Sequence, residues 1–321
     1  MLLIILACIC NRSAISQMPY DLLKEQARFT SIVPMYTMGS IKLSNGLKLE
    51  YAEKGQETGA TVIFLHGYSD SWYSFEEVLS LFPDSIHAFS ISQRGHGNSD
   101  RPAEGYKPED FASDIADFMR SLKIKSAIIV GHSMGATVAQ RFAVDFPEKT
   151  KALVLVASFA SFQNKAGITE LQGIISMLRD PIDSGFVSEF QKSTIFQPVN
   201  ENAFKTYVLE SMKVPAGVWK AIAAETLTVN LSKQLTAIQI PTLIIWGDKD
   251  IFCPRSDQEL MARSIRDSRL LIYEEIGHAI HWEDPQRFTK DLLEFINAIK
   301  AGNRVLTENE INEYFNLGCY F

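Results

Sequence analysis

A serine hydroxyl attacks a carbonyl carbon only when a base takes its proton and a third group orients that base. The run Gly131-His132-Ser133-Met134-Gly135 has the spacing G-x-S-x-G, in which small residues let backbones approach a sharply turned serine. Its surroundings suit such a turn. The apolar run Ala127–Val130 reads as a buried strand, and helical periodicity begins near Met134. A strand passing directly into a helix exposes the serine at the sheet edge and aims the positive helix end at a developing oxyanion. The base and the acid are then expected at the ends of later strands, in the order Ser, Asp, His. Gly247-Asp248-Lys249-Asp250 follows the strand Pro241–Trp246, and Gly277-His278 follows the strand Leu270–Tyr273. Spacing alone leaves both Asp248 and Asp250 open as the acid. His281 would share a face with His278 if that segment were helical.

These side chains need a scaffold that brings distant strand ends together. Two alternating runs around Asn45-Gly46 predict a hairpin over Ile41–Gly55. Strands are then expected at Thr61–Leu65, Ile86–Ile91, Ala127–Val130 and Ala152–Val156. Helices are expected at Trp72–Leu81, Pro108–Leu122 and Met134–Phe146. After residue 236 the strands end at Trp246 and Tyr273, with helices at Gln258–Ile265 and Pro285–Ile299. This rhythm predicts an α/β domain over residues 30–159 and 237–300, with a mostly parallel central sheet flanked by helices. Residues 160–236 show helical patterns and no buried strand, so they read as an inserted helical cap.

The chain has 321 residues, 46% hydrophobic and 21% charged, with a formal charge of −7. That length supports a full core without disulfide or metal staples. The acidic balance argues against a nucleic-acid partner. Cys8, Cys10, Cys253 and Cys319 show no metal-ligand spacing, and they leave the redox compartment open. Leu2–Cys10 is too short to span a bilayer. With Ala14-Ile15-Ser16 behind it, the segment fits a signal peptide over residues 1–16, although no Lys or Arg precedes the apolar run. Export is therefore favoured over a cytoplasmic location, with membrane contact only through that anchor. Residues 301–321 form a tail in which Thr307-Glu308-Asn309-Glu310 fits a capping box.

Taken together, the elbow, the His66-Gly67 pair after the first buried strand, the Gln93–Ser99 loop, the Gly247–Asp250 turn and Gly277-His278 make residues 40–300 resemble the lid-bearing α/β-hydrolases. This group includes small esterases, enol-lactone hydrolases and cofactor-free haloperoxidases. The resemblance implies Ser133 as nucleophile, His278 as base and Asp250, the second carboxylate of its turn, as acid. Asp248 becomes a turn-stabilising residue and His281 a neighbour packing near Trp282. His66, His96 and His132 read as structural, and His87 as an ordinary strand residue. The oxyanion hole is expected from the backbone N–H groups of Tyr68 and Met134. Trp72 and Phe75 are candidates for the pocket wall, with core packing as the alternative. One departure is Ser92, where the family often has Asp, a change expected to affect loop hydrogen bonding.

Dehalogenases and epoxide hydrolases resemble this chain but carry Asp at the elbow, so Ser133 favours acyl transfer through an acyl-serine. No dinucleotide fingerprint, phosphate-binding loop or metal cluster is present, so neither cofactor nor metal is implied. The expected function is a serine hydrolase acting on a small-molecule ester or lactone. A hydrolase of carbon–carbon bonds beside a ketone and a binding or sensing protein on the same fold are the alternatives. The insertion from Ala160 to Thr236 carries seven basic and seven acidic residues, with Phe162, Phe186, Phe190, Phe196, Phe204, Tyr207 and Trp219 among them. A charge-balanced aromatic roof implies an uncharged substrate of small to medium size.

Overall fold

Val62-Ile63-Phe64-Leu65 is apolar without a break, as a strand buried on both faces must be. Successive side chains of a strand point to opposite faces. Accordingly, Ile63 and Leu65 enter one hydrophobic cluster, and Val62 and Phe64 enter the other. The computed structural model of the chain describes residues 36–302 apart from 164 and 227. The leader expected over residues 1–16 and the capping box of the tail lie outside the described residues.

The strands are β1 (Thr37–Lys42), β2 (Lys48–Lys54), β3 (Ala60–Leu65), β4 (Ile86–Ser92), β5 (Ala127–His132), β6 (Thr150–Val156), β7 (Thr242–Gly247) and β8 (Ser268–Tyr273). They form one sheet in the order β1-β2-β4-β3-β5-β6-β7-β8. The β1–β2 hairpin joins antiparallel, and every pairing from β4 to β8 is parallel. The helices are α1 (Glu76–Leu81), α2 (Pro108–Ser121), α3 (Met134–Asp145), α4 (Ala166–Ser176), α5 (Ser184–Ser193), α6 (Glu201–Met212), α7 (Ala216–Thr226), α8 (Arg255–Ser264), α9 (Ile280–Glu283) and α10 (Pro285–Lys300). The segment expected to be helical over 72–81 splits, its first turn Trp72–Phe75 being a 3-10 helix.

One sheet face is covered through Phe111, Ile115 and Phe118 of α2, Phe142 of α3 and Met261 of α8. The other is covered through Val78 and Leu79 of α1 and Phe288, Leu292 and Ile296 of α10. Between β6 and β7 the chain leaves the sheet for α4–α7, where Ser161 forms an isolated bridge with Asn230. From β3 the chain moves outward to β4 and then returns across β3 to β5. Such a reversal of strand order leaves a crevice at the carboxyl ends of the two strands. Of the five non-glycine residues with positive φ among the described residues, Ser69, Ser133, Ala157 and Glu275 follow β3, β5, β6 and β8 at that same edge. Backbone strain of this kind persists only where surrounding structure over-determines it.

Candidate active site

Ser133 lies between β5 and α3 with φ 53° and ψ −113°. A side chain at such a φ is unfavourable, and the geometry is forced by how closely the flanking elements approach. A Cβ on Gly131 would fall 2.2 Å from the Gly135 carbonyl oxygen, and one on Gly135 would fall 2.2 Å from that of Leu65. Only glycine permits α3 to sit this near β3 and β5. The Ser133 N–H donates to the Val156 carbonyl at 2.9 Å, so β6 holds the turn from its other side.

His278 follows β8 and Asp250 follows β7, and their side chains meet. The His278 Nδ1–H donates to Asp250 Oδ2 at 2.9 Å, with the Asp250 side chain fully buried. Asp250 Oδ1 accepts the N–H groups of Phe252 and Cys253 at 2.8 and 3.0 Å. The carboxylate is thus held at both oxygens, which leaves the neutral imidazole its lone pair on Nε2. Asp248 does something else: its Oδ1 accepts the Glu275 N–H at 2.6 Å and its Oδ2 takes Lys249 Nζ at 3.1 Å, which ties two loops together. Asp250, Cys253 and His278 have ligand atoms within 4.8 Å of one another. They do not suit a metal, because the Cys253 thiol donates to the Ala157 carbonyl and burial pushes its pKa well up.

Ser133, His278, Tyr68 and Met134 all line one cavity of about 90 Å³. Its remaining wall is mostly apolar, with Phe159 and Phe252 from the core side and Phe162, Ile168, Leu171 and Phe190 from the insertion. A wider groove of about 870 Å³ shares Ile168, Leu171, Phe190 and Phe252 with it and runs past Asp250–Pro254. The Tyr68 hydroxyl donates to the Trp219 carbonyl at 2.6 Å, which links the loop after β3 to α7.

Trp72 and Phe75 do not line this cavity. Phe75 is fully buried, 4.8 Å from the Phe64 ring and stacked on His281 at 4.3 Å, because the 3-10 turn points it into the core. Trp72 packs edge-on against Tyr36. The aromatic on α9 that does reach the cavity is Trp282. His281 is buried against Phe75 with its Nε2 3.0 Å from Ser74 Oγ, and burial lowers its pKa to about 3. His66 is saturated: Nδ1 donates to the Gly67 carbonyl and Nε2 accepts the Gln93 N–H. His132 Nε2 donates to the His278 carbonyl at 3.1 Å, so it braces His278 through its backbone. His96 Nδ1 donates to the Arg94 carbonyl. At Ser92 the hydroxyl donates to Glu50, whose carboxylate also takes the Asn98 N–H, so a carboxylate from β2 serves this loop.

Asp70 escapes sequence reasoning. It lies buried in the cavity wall, and desolvation pushes its carboxyl up to about 7. No motif marks it, and its position in the turn after β3 is the only available signal. Gln191 of α5 is missed for a plainer reason, since the tertiary contact that brings it to Asp70 spans 121 residues.

A family model described as the alpha/beta hydrolase fold matches residues 60–285. The chain belongs to the α/β-hydrolase family and is a hydrolase of that fold. It is 25% identical over 280 residues to a non-heme chloroperoxidase of Streptomyces lividans, covering 81% of this chain and all of that one. It is likewise 25% identical over 307 residues to epoxide hydrolase 1 of Caenorhabditis elegans, covering 85% of this chain and 74% of the relative. The structure of an esterase from Exiguobacterium antarcticum superposes with a TM-score of 0.74 at 24% identity, covering 81% of this chain and all of that one.

Proposed function

We propose that this hydrolase cleaves an uncharged carboxylic ester or lactone of small to medium size through an acyl-serine intermediate. The observation that carries the reading is the His278–Asp250 hydrogen bond at the wall of the cavity that also holds the strained Ser133. His278 Nε2 takes the Ser133 proton as Oγ adds to the substrate carbonyl, and Asp250 stabilises the imidazolium. The oxyanion is held by the backbone N–H groups of Tyr68 and Met134, with the α3 N-terminus behind them. Collapse expels the alcohol, which takes its proton from His278, and water deacylates the serine by the same path.

Helices α4–α7 act as the cap. Their apolar side chains supply much of the cavity wall, which favours an uncharged guest. At about 10–15 Å³ for each water-sized guest, the inner cavity takes a short acyl group. The wider groove then receives the leaving group, because it runs over the Asp250–Pro254 loop, whose Asp250 pairs with His278. The test is a panel of neutral esters and lactones with native enzyme beside Ser133→Ala. The substitution is expected to cost on the order of 10⁴–10⁶ in turnover with the fold unchanged. Undiminished turnover by folded Ser133→Ala would remove the mechanism.

A further inference from the structure

The mechanism leaves one titratable side chain of the cavity without a role. Asp70 is about 5% exposed and lies in a mostly apolar wall. A carboxyl in such a place is costly unless something satisfies it. Gln191 Nε2 donates to its Oδ1 at 2.9 Å, and Ser74 Oγ donates to its Oδ2 at 3.3 Å. The Gly67 backbone also hydrogen-bonds to this carboxyl, so of the roughly four acceptor positions of a carboxylate about one is left for a guest. The group is also rigidly placed. Asp70 closes a turn through its N–H to the Gly67 carbonyl, and Ser69 inside that turn has φ 65°. Gln191 is fixed in turn by Ser211 of α6, whose hydroxyl donates to the Ser69 carbonyl.

We propose that Asp70 is a specificity-determining residue that accepts a hydrogen bond from a hydroxyl or amine on the acyl half of the substrate. The inference rests on the reading of Ser133 as an acylated nucleophile. The acyl half is assigned from position. Asp70 shares its turn with Tyr68 on the oxyanion side, whereas the groove for the leaving group runs off past Asp250 and Phe252. Burial holds the Asp70 carboxyl near neutrality, and its acid and its carboxylate forms both retain acceptor lone pairs. A perturbed carboxyl in a cleft is where a functional role is expected. A purely structural latch between the loop and the insertion would hold Gln191 equally well but would not sort substrates.

The experiment compares kcat/KM for aryl esters of one leaving group, whose acyl chains carry a hydroxyl, an amine or the isosteric methyl group. Native enzyme is expected to favour the hydroxyacyl or aminoacyl ester over its methyl isostere by about tenfold or more. Asp70→Leu is expected to reverse that order. Asp70→Asn, which keeps the shape and an acceptor for Gln191, is expected to retain part of the hydroxyl preference and lose the amine preference. Each ratio is taken within one variant, so differences in stability cancel, and a cooperative thermal melt reports that each variant is folded. No preference in native enzyme, or a preference unchanged in both variants, overturns the proposal. Failure of the underlying reading looks different: Ser133→Ala would then hydrolyse all three esters like native enzyme.

Discussion

β5 carries Ser133 between two parallel neighbours, β3 and β6, and every residue from Ala127 to His132 is buried. α5 carries Phe190 and Gln191 to the same cavity with a mixed burial pattern, reaching the core loops through side chains and helix ends. Gln191 reaches Asp70, Thr194 accepts the N–H groups of His278 and Ala279, and Glu283 accepts those of Phe196 and Gln197. The sheet edge is therefore over-determined by ladders and close backbone approach, whereas the insertion is attached by a modest set of hydrogen bonds and aromatic contacts. Close packing tolerates no added methyl group, while a polar seam of this kind can be rearranged at smaller cost. On the proposed reading the difference gives the chemistry to the rigid edge and leaves selection to the cavity wall that the edge loops and the insertion share.

The largest effect that would break this comparison lies at the acid. Asp250→Asn is expected to lower turnover on the order of 10⁴-fold, because the imidazole loses its orienting carboxylate. Asp248→Asn removes a link between loops and is expected to change turnover by less than about tenfold. Steady-state kinetics on both folded variants decides it, and a reversal of the two would show that the Asp250–His278 contact is not the working pair.

Glycine substitutions probe the two regions directly. Gly135→Ala places a Cβ 2.2 Å from one backbone oxygen and 2.5 Å from another. Since backbone cannot yield as a side chain can, a loss of roughly 1–3 kcal/mol or more is expected. Misplacing Ser133 by about 1 Å should also cost about 10²-fold in rate. Thermal melts beside kcat measure both, and native behaviour in this variant would refute the close approach of α3 to β3.

A smaller effect comes from the seam. Asp70 binds a proton in the folded state up to about pH 7, while the unfolded group releases it near its ordinary value of 3.8. Between those values the folded state holds more protons, so this carboxyl's contribution is full below pH 3.8 and is lost as pH rises through about 7. Buried His66, His96, His132 and His281 act in the opposite sense. Their lowered pKa values make stability fall as pH drops below the ordinary 6.5. Comparing Asp70→Asn with native protein cancels the histidine contribution. The variant's Tm relative to native is expected to be about 4–8 °C higher at pH 8 than at pH 5, equivalent to roughly 2 kcal/mol. A difference that does not vary with pH would mean that Asp70 ionises freely.

The smallest expected effect is in the insertion itself. Gly173 lies exposed within α4, with nothing within 4 Å of the place a Cβ would occupy. Gly173→Ala is expected to stabilise by about 0.5–1 kcal/mol through helix propensity. A urea melt reads this as an upward shift in midpoint, and a loss of stability would mean that the Gly173 face of α4 is packed and not open.

Ser133 and the glycines around the elbow are legible in the sequence because their geometry is local, and His278 is legible through the family pattern that puts it directly after Gly277. A strand, a turn and a helix follow one another in a few residues, and the G-x-S-x-G spacing records the backbone contact that the turn demands. The alternation of strands and helices was legible for the same reason, since each element buries its own apolar face. The sequence could name Asp248 and Asp250 but could not separate them by spacing, and the contact with His278 spans 28 residues. It offered Trp72 and Phe75 for the pocket wall, although both turn into packing on the far side of the 3-10 helix. It was silent on Asp70 and Gln191. Burial, the raised pKa and the hydrogen bond between them exist only once α5 is laid over the loop after β3, because desolvation is a property of the packed surroundings and not of the residue type.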